Sequence, residues 1–233
     1  MLLTNKIYEG NLFMRYSKHL TYAERMFLRA RLNRVRHITL DPDGPGVVRI
    51  HLVPCHKPDR ETPFTAILNG QDILPLNPYS RPGTPLETID GVVVHYVGNP
   101  GTSAAANRSF FANLAVTHET YASAHFVVGL EGEVIQCVPL SEVAYCSSQA
   151  NDHTVSIEVC HADETGEFSA ETMASLLRLT AWLCEEFDLV PADVIRHYDV
   201  TGKVCPKYYV DHPEAWEDFR SALGAARTQE NPS

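Results

Sequence analysis

The sequence predicts an α/β fold, a β-sheet flanked by helices, with a small N-terminal α+β appendage. Strand-forming runs at 91–96, 124–128, 133–138, 154–159 and 194–197 are separated by helix-forming stretches, and strands that alternate with helices pack in layers around a core. Hydrophobic residues make up 44% of the 233, enough for a globular interior. Charge is unevenly spread: residues 1–60 carry 11 Lys or Arg against 5 Asp or Glu, which leaves 8 against 24 for the rest and a formal net charge of −10 overall.

That asymmetry sets the expected organisation. A basic appendage occupies 1–60, a main domain that begins with a proline-rich lead-in occupies 61–224, and 225–233 form a flexible tail. The acidic majority of the chain argues against a nucleic-acid channel. The basic portion either meets an anionic partner or docks and is solvated; the second reading is the plainer one. No apolar run approaches the ~20 residues needed to cross a bilayer. The first ten residues lack the long apolar stretch of a secretory signal. The six cysteines show no C-x-x-C pairing and are read as reduced thiols, with Cys184 a small core hydrophobe.

Taken in order, Thr21-Tyr22-Ala23-Glu24 has the form of a capping box, and a helix with a basic face should follow to about Val35. The run 41–46, with two prolines and two glycines, must turn, and the alternation over 47–53 reads as a strand. Closely spaced Pro75, Pro78, Pro82 and Pro85 keep the lead-in extended over other structure. The β-branched run Gly91-Val92-Val93-Val94-His95-Tyr96 is a buried strand. A helix over 104–117 should bury Phe110, Phe111 and Leu114. Strands at 124–128 and 133–138 flank Gly129-Leu130-Glu131-Gly132, a hairpin signal. Thr154–Val159 is the next strand. Ser169 caps a helix to about Phe187, whose Met173, Leu176, Leu177, Ala181, Cys184 and Phe187 form a core stripe. A short strand over 194–197 and a final helix over 213–223, carrying Trp216 and Phe219, complete the domain.

The chemistry gathers in Arg196-His197-Tyr198-Asp199-Val200-Thr201-Gly202-Lys203-Val204-Cys205-Pro206. An imidazole and a thiol eight residues apart cannot share one helical face, so they meet at an ion only if the segment around Gly202 turns back. Zinc accepts both donors, and a site with three protein ligands keeps a fourth position for water. The best third donor is His95, mounted on a rigid strand end. Alternation places Glu158 on the face of Ser156 and Cys160, opposite its apolar neighbours.

Strand-borne His95, the block Thr154-Val155-Ser156-Ile157-Glu158-Val159, and His197 with Lys203 and Cys205 resemble the zinc-dependent N-acetylmuramoyl-L-alanine amidases, the family that includes phage T7 lysozyme and phage endolysins. The resemblance runs from about residue 77 to about residue 223. It implies a central mixed sheet flanked by helices, Zn2+ held by His95, His197 and Cys205, Glu158 as acid–base catalyst and Lys203 as the charge opposite a tetrahedral oxyanion. The implied partner is bacterial peptidoglycan, cut between N-acetylmuramic acid and L-alanine. His125 and Tyr96 are the candidate substrate contacts, with a core histidine the alternative for His125. Two departures stand out: Ala124 replaces the tyrosine that some relatives place before the residue matching His125, and Ala144-Tyr145-Cys146 lacks a histidine common after that pair. His153, His161 and His212 match no ligand position and are expected at the surface.

The rival readings are a non-catalytic peptidoglycan-binding module of the same fold, which typically lacks the thiol at Cys205, and a structural zinc domain, which would leave Glu158 and Lys203 idle. Synthesis in the cytoplasm and action on the wall, after holin-mediated release or in wall recycling, fit the start of the chain.

Overall fold

The computed structural model describes residues 7–8, 11–15, 35–42, 47–54 and 70–229, with side chains over 70–226. The chain divides into two compact units, Met1–Glu61 and Thr62–Ser233. In the first, β1 (Ile7–Tyr8), β2 (Asn11–Arg15), β3 (Val35–Pro42) and β4 (Val47–Pro54) form an antiparallel sheet of order β1-β2-β4-β3. Strand β4 is the one expected over 47–53. Strand β3 falls between the expected helix end near Val35 and the expected turn, and it takes Asp41 and Pro42 of that turn into the sheet. The expected helix after Thr21 and residues 43–46 of the expected turn lie outside the described residues.

The second unit is built on a mixed six-stranded sheet of order β10-β6-β9-β7-β8-β5. Its strands are β5 (Gly70–Gln71), β6 (Gly91–Tyr96), β7 (Phe126–Val128), β8 (Val134–Gln136), β9 (Thr154–Val159) and β10 (Val194–Arg196). Strands β10, β6, β9 and β7 run parallel, β8 is antiparallel to β7, and β5 is parallel to β8. Helices α1 (Ala104–Thr117), α2 (Ala170–Glu186), α3 (His197–Thr201), α4 (Lys207–Asp211) and α5 (Pro213–Gln229) complete the unit. Helices α1 and α2 begin where Ser103 and Ser169 accept the N–H groups of Ala106 and Thr172.

Parallel central strands are covered on both faces, which is why they read as continuous valine runs. Val92, Val94, Phe126, Val155, Ile157 and Val159 share one core cluster with Leu176, Leu179 and Leu183 of α2 and Trp216, Phe219 and Leu223 of α5. Truncation of the fully buried Leu179 to Ala should cost about 2–5 kcal/mol. On the opposite face Val127 and Cys160 pack with Leu74, Cys137, Val138 and, from α1, Ala104 and Phe111. His95, Ser156 and Glu158 alternate with the first set and therefore face the α1 side.

Several boundaries differ from expectation. Phe110 is 44% exposed, because α1 turns Phe111 and Leu114 inward and leaves their neighbour outside. The α2 stripe centres on Leu176, Leu179 and Leu183, with Met173, Leu177, Ala181 and Phe187 at its flanks. Helix α5 continues past Leu223 to Gln229, into the segment read as tail; its extension contains Ala, Arg and Gln, all good helix formers. His197 opens α3 and does not end β10. The lead-in is tied down by Arg81, whose guanidinium donates to both carboxylate oxygens of Glu142 (2.8 and 2.7 Å) and to the Leu74 carbonyl (2.7 Å).

Candidate metal centre and active site

His95, at the end of β6, lies beside Glu158 of β9 in the parallel register, so the two side chains leave the sheet together. His197 is delivered by the first residue of α3. Gly202 then takes φ +80° as the C-cap of α3, a conformation that glycine adopts without strain, and its N–H donates to the Tyr198 carbonyl at 2.7 Å. The chain doubles back, and the Tyr198 N–H donates to the Cys205 carbonyl at 2.9 Å. That return brings Cys205 Sγ to 3.8 Å from His95 Nδ1. One donor atom each from His95, His197 and Cys205 lies within 4.8 Å of the others, and all three residues are buried.

The electrostatics suit a cation. Burial, followed by the neighbouring His197, holds the His95 imidazole well below its ordinary range, and burial does the same more mildly for His197. Both rings are therefore neutral near pH 7, the form that offers a lone pair. Nδ1 of His197 is buried and has no hydrogen-bond partner, an arrangement that costs about 1–3 kcal/mol unless something fills it. Burial and the adjacent Glu158 push the Cys205 thiol up to about 12, against a backbone hydrogen bond from Tyr96 and the charge of Lys203. A divalent cation reverses that balance, because a coordinated thiol gives up its proton. Nε2 of His95 sits 3.0 Å from Ser147 Oγ, and the tautomer that donates there leaves Nδ1 bare toward Cys205. The residues present fit a cation that takes two nitrogens and a sulfur.

Glu158 is enclosed, and burial raises its carboxyl to about 8 against the opposing pull of the Cys146 thiol and Lys203. Oε1 accepts from the Cys146 thiol at 3.5 Å, whereas Oε2 is buried without a partner. Lys203 is exposed at the rim, and its charge acts on His95, His197, Cys205 and Glu158. Tyr96 is partly exposed, and its ring stacks on His161 with centroids 5.0 Å apart.

His125 is 1% exposed. Its Nδ1 accepts from the Ser156 N–H (3.0 Å) and its Nε2 donates to the Glu142 carbonyl (2.9 Å), so both ring nitrogens are spent on tying strands and loop together. This is the core-histidine alternative, and it leaves no ring nitrogen for a substrate. His161, expected at the surface, is 2% exposed, with Nδ1 donating to the Asp163 carbonyl at 2.7 Å; the turn after β9 folds it back beneath Tyr96. The side chains of His153 and His212 are 42% and 50% exposed, as expected.

Cys146 and Ser147 carry roles that the sequence does not announce. Asn151 Oδ1 accepts from the backbone N–H of both Cys146 (3.0 Å) and Ser147 (2.6 Å), which fixes the thiol against Glu158 and the hydroxyl against His95. No spacing or periodicity signals this, since Ser147 and His95 are 52 residues apart.

This sheet, with a histidine and a glutamate on neighbouring parallel strands and a histidine–cysteine turn folded over them, defines a class. Residues 85–208 match the family described as N-acetylmuramoyl-L-alanine amidase (Amidase_2), and the chain belongs to that family. Among curated relatives it is 33% identical over 173 residues to the N-acetylmuramoyl-L-alanine amidase BlyA of Bacillus subtilis, covering 65% of this chain and 46% of that protein. It is 32% identical over 166 residues to CwlL of Bacillus licheniformis, covering 66% and 46%. The chain thus spans a little under half the length of these relatives. Among solved structures, the catalytic domain of XlyA superposes with a TM-score of 0.57 at 29% identity, over 66% of this chain and 97% of that one. PlyL, at 17% identity and a TM-score of 0.55, shares the fold.

Proposed function

We propose that the domain is a zinc-dependent amidase that cleaves peptidoglycan between the lactyl group of N-acetylmuramic acid and the L-alanine of the stem peptide. The observation that carries this reading is the meeting of two neutral imidazoles and a thiol around an unpartnered His197 Nδ1, with the free oxygen of Glu158 on the same face of the sheet. His95, His197 and Cys205 would hold zinc, which supplies Lewis-acid activation of water and of the amide carbonyl.

The protein's own groups do the rest. Ser147 orients His95, and the Tyr96 N–H steadies the Cys205 sulfur. A cation held beside Glu158 would favour its ionised form; with Oε1 occupied by Cys146, Oε2 then takes a proton from water and returns it to the departing alanine nitrogen. Lys203, whose charge reaches His95, His197, Cys205 and Glu158, supplies the positive partner for the oxyanion of the tetrahedral intermediate. Residues 1–60 are an accessory unit outside this machinery, and the wall is the place of action. No helix among the described residues is long and apolar enough to cross a membrane.

The test is digestion of purified peptidoglycan followed by mass analysis. Free L-alanine amino termini should appear, and should vanish with a chelator and return with zinc. Binding of peptidoglycan without new amino termini would establish the non-catalytic module of this fold.

A further inference from the structure

A second group of donors adjoins the first. His95, Cys146 and Glu158 each offer one atom within 4.8 Å of the other two. The Cys146 thiol points at Glu158 Oε1 (3.5 Å), Oε2 is buried with no partner, and the backbone of Cys146 is pinned by Asn151 (3.0 Å). A thiol beside a carboxylate with an unused oxygen is a chelating pair for a cation that accepts both sulfur and oxygen, as zinc and cadmium do.

We propose that Cys146 and Glu158 form a second, weaker site for a thiophilic divalent cation beside the His95–His197–Cys205 centre, and that filling it shuts the enzyme off. The order of affinity follows from the donors. The first site has three protein donors. The second has two of its own, because His95 Nδ1 faces Cys205 and Nε2 is engaged by Ser147, so solvent completes its coordination. Two divalent ions a few ångströms apart also repel each other.

Filling the second site releases the Cys146 proton, and the proton of Glu158 when it holds one, to solvent and replaces the S–H···O bond with sulfur and carboxylate bonds to the cation. Glu158 then has no oxygen left to accept a proton. The inhibitory consequence rests on the amidase reading; the binding of the cation does not.

The experiment uses the full chain, stripped of metal and titrated with Cd2+, following thiolate-to-metal charge transfer in the ultraviolet alongside metal analysis after dialysis. The first equivalent should give the band of one thiolate, from Cys205, and a second equivalent, about tenfold weaker or more, should add a comparable increment. Cys146→Ser should keep the first increment, which also shows that it folds, and lose the second. Cys205→Ser should lose the first. Glu158→Gln, which keeps the thiol and removes the charge, should weaken the second about tenfold while sparing the first. With zinc, turnover of muropeptides by the one-zinc enzyme should fall as free zinc passes through the second dissociation constant. In Cys146→Ser that midpoint should rise about tenfold or vanish. Saturation at one thiolate-bound cadmium, or a second increment that survives Cys146→Ser, overturns the proposal. Failure to cleave any muropeptide would instead overturn the amidase reading, and the cadmium titration would still decide the second site.

Discussion

Ser147→Ala is the sharpest probe of how the centre is aimed. Ser147 is fully buried, and its Oγ is 3.0 Å from His95 Nε2, in a ring that is itself 1% exposed. Removing the hydroxyl leaves a buried N–H without an acceptor, a penalty of about 1–3 kcal/mol. The ring relieves it by rotating or by moving its proton to Nδ1, and either change spoils the lone pair offered toward Cys205. At about 1.4 kcal/mol per factor of ten, the loss in zinc affinity should be about 5- to 150-fold. That range brackets the 10- to 100-fold typical of partners behind a metal-bound histidine. Competition against a chromogenic chelator measures the dissociation constant directly, and melting of the metal-free protein tests whether the fold survives. Zinc affinity within about threefold of the parent would refute the claim that Ser147 sets the working nitrogen of His95.

Glu158→Gln should keep zinc content and fold, because the amide has the same size and Glu158 is not one of the three donors of the first centre, yet lose about 10² to 10⁴ in kcat; an unchanged kcat moves proton transfer to another residue. Lys203→Met should lower kcat and kcat/KM together by about 10² to 10³, whereas a rise in KM alone would make Lys203 a substrate-binding group. Burial lowers His125 to about 4, below its unfolded value of 6.5, so the native state binds fewer protons over that window and stability is lost as pH falls from 6.5 toward 4. Chemical denaturation across that range should show about 3 kcal/mol more loss in the parent than in His125→Gln, and parallel curves would mean that His125 is not a buried neutral histidine. A chain beginning near Glu61 should still cleave soluble muropeptides; a folded, zinc-bound but inactive product would place residues 1–60 in the active site.

The sequence by itself determined the longer strands and helices of the second unit, β6 to β10 with α1, α2 and α5, but not the two-residue β5 or the single-turn helices α3 and α4. It did so because their signals are local. A valine run needs no partner to be read as a buried strand, a serine ahead of an apolar stripe marks a helix start, and a two-residue period puts Glu158 opposite Val159. The return at Gly202 was also readable, since only a turn lets His197 and Cys205 meet. Where helix formers run past the last apolar residue, as in α5, the local signal misleads.

Only the tertiary structure decided what surrounds these residues. His95 and Glu158 are far apart in sequence and become neighbours through parallel pairing, which no local pattern specifies. Cys146 and Ser147 reach Glu158 and His95 through a loop held by the Asn151 side chain. Whether a histidine is buried likewise depends on what folds over it, so His125 and His161 became interior while His153 and His212 stayed outside. Chain connectivity determines which elements form. The directions and reach of side chains from distant segments determine which atoms meet, and that information exists only once the chain has folded.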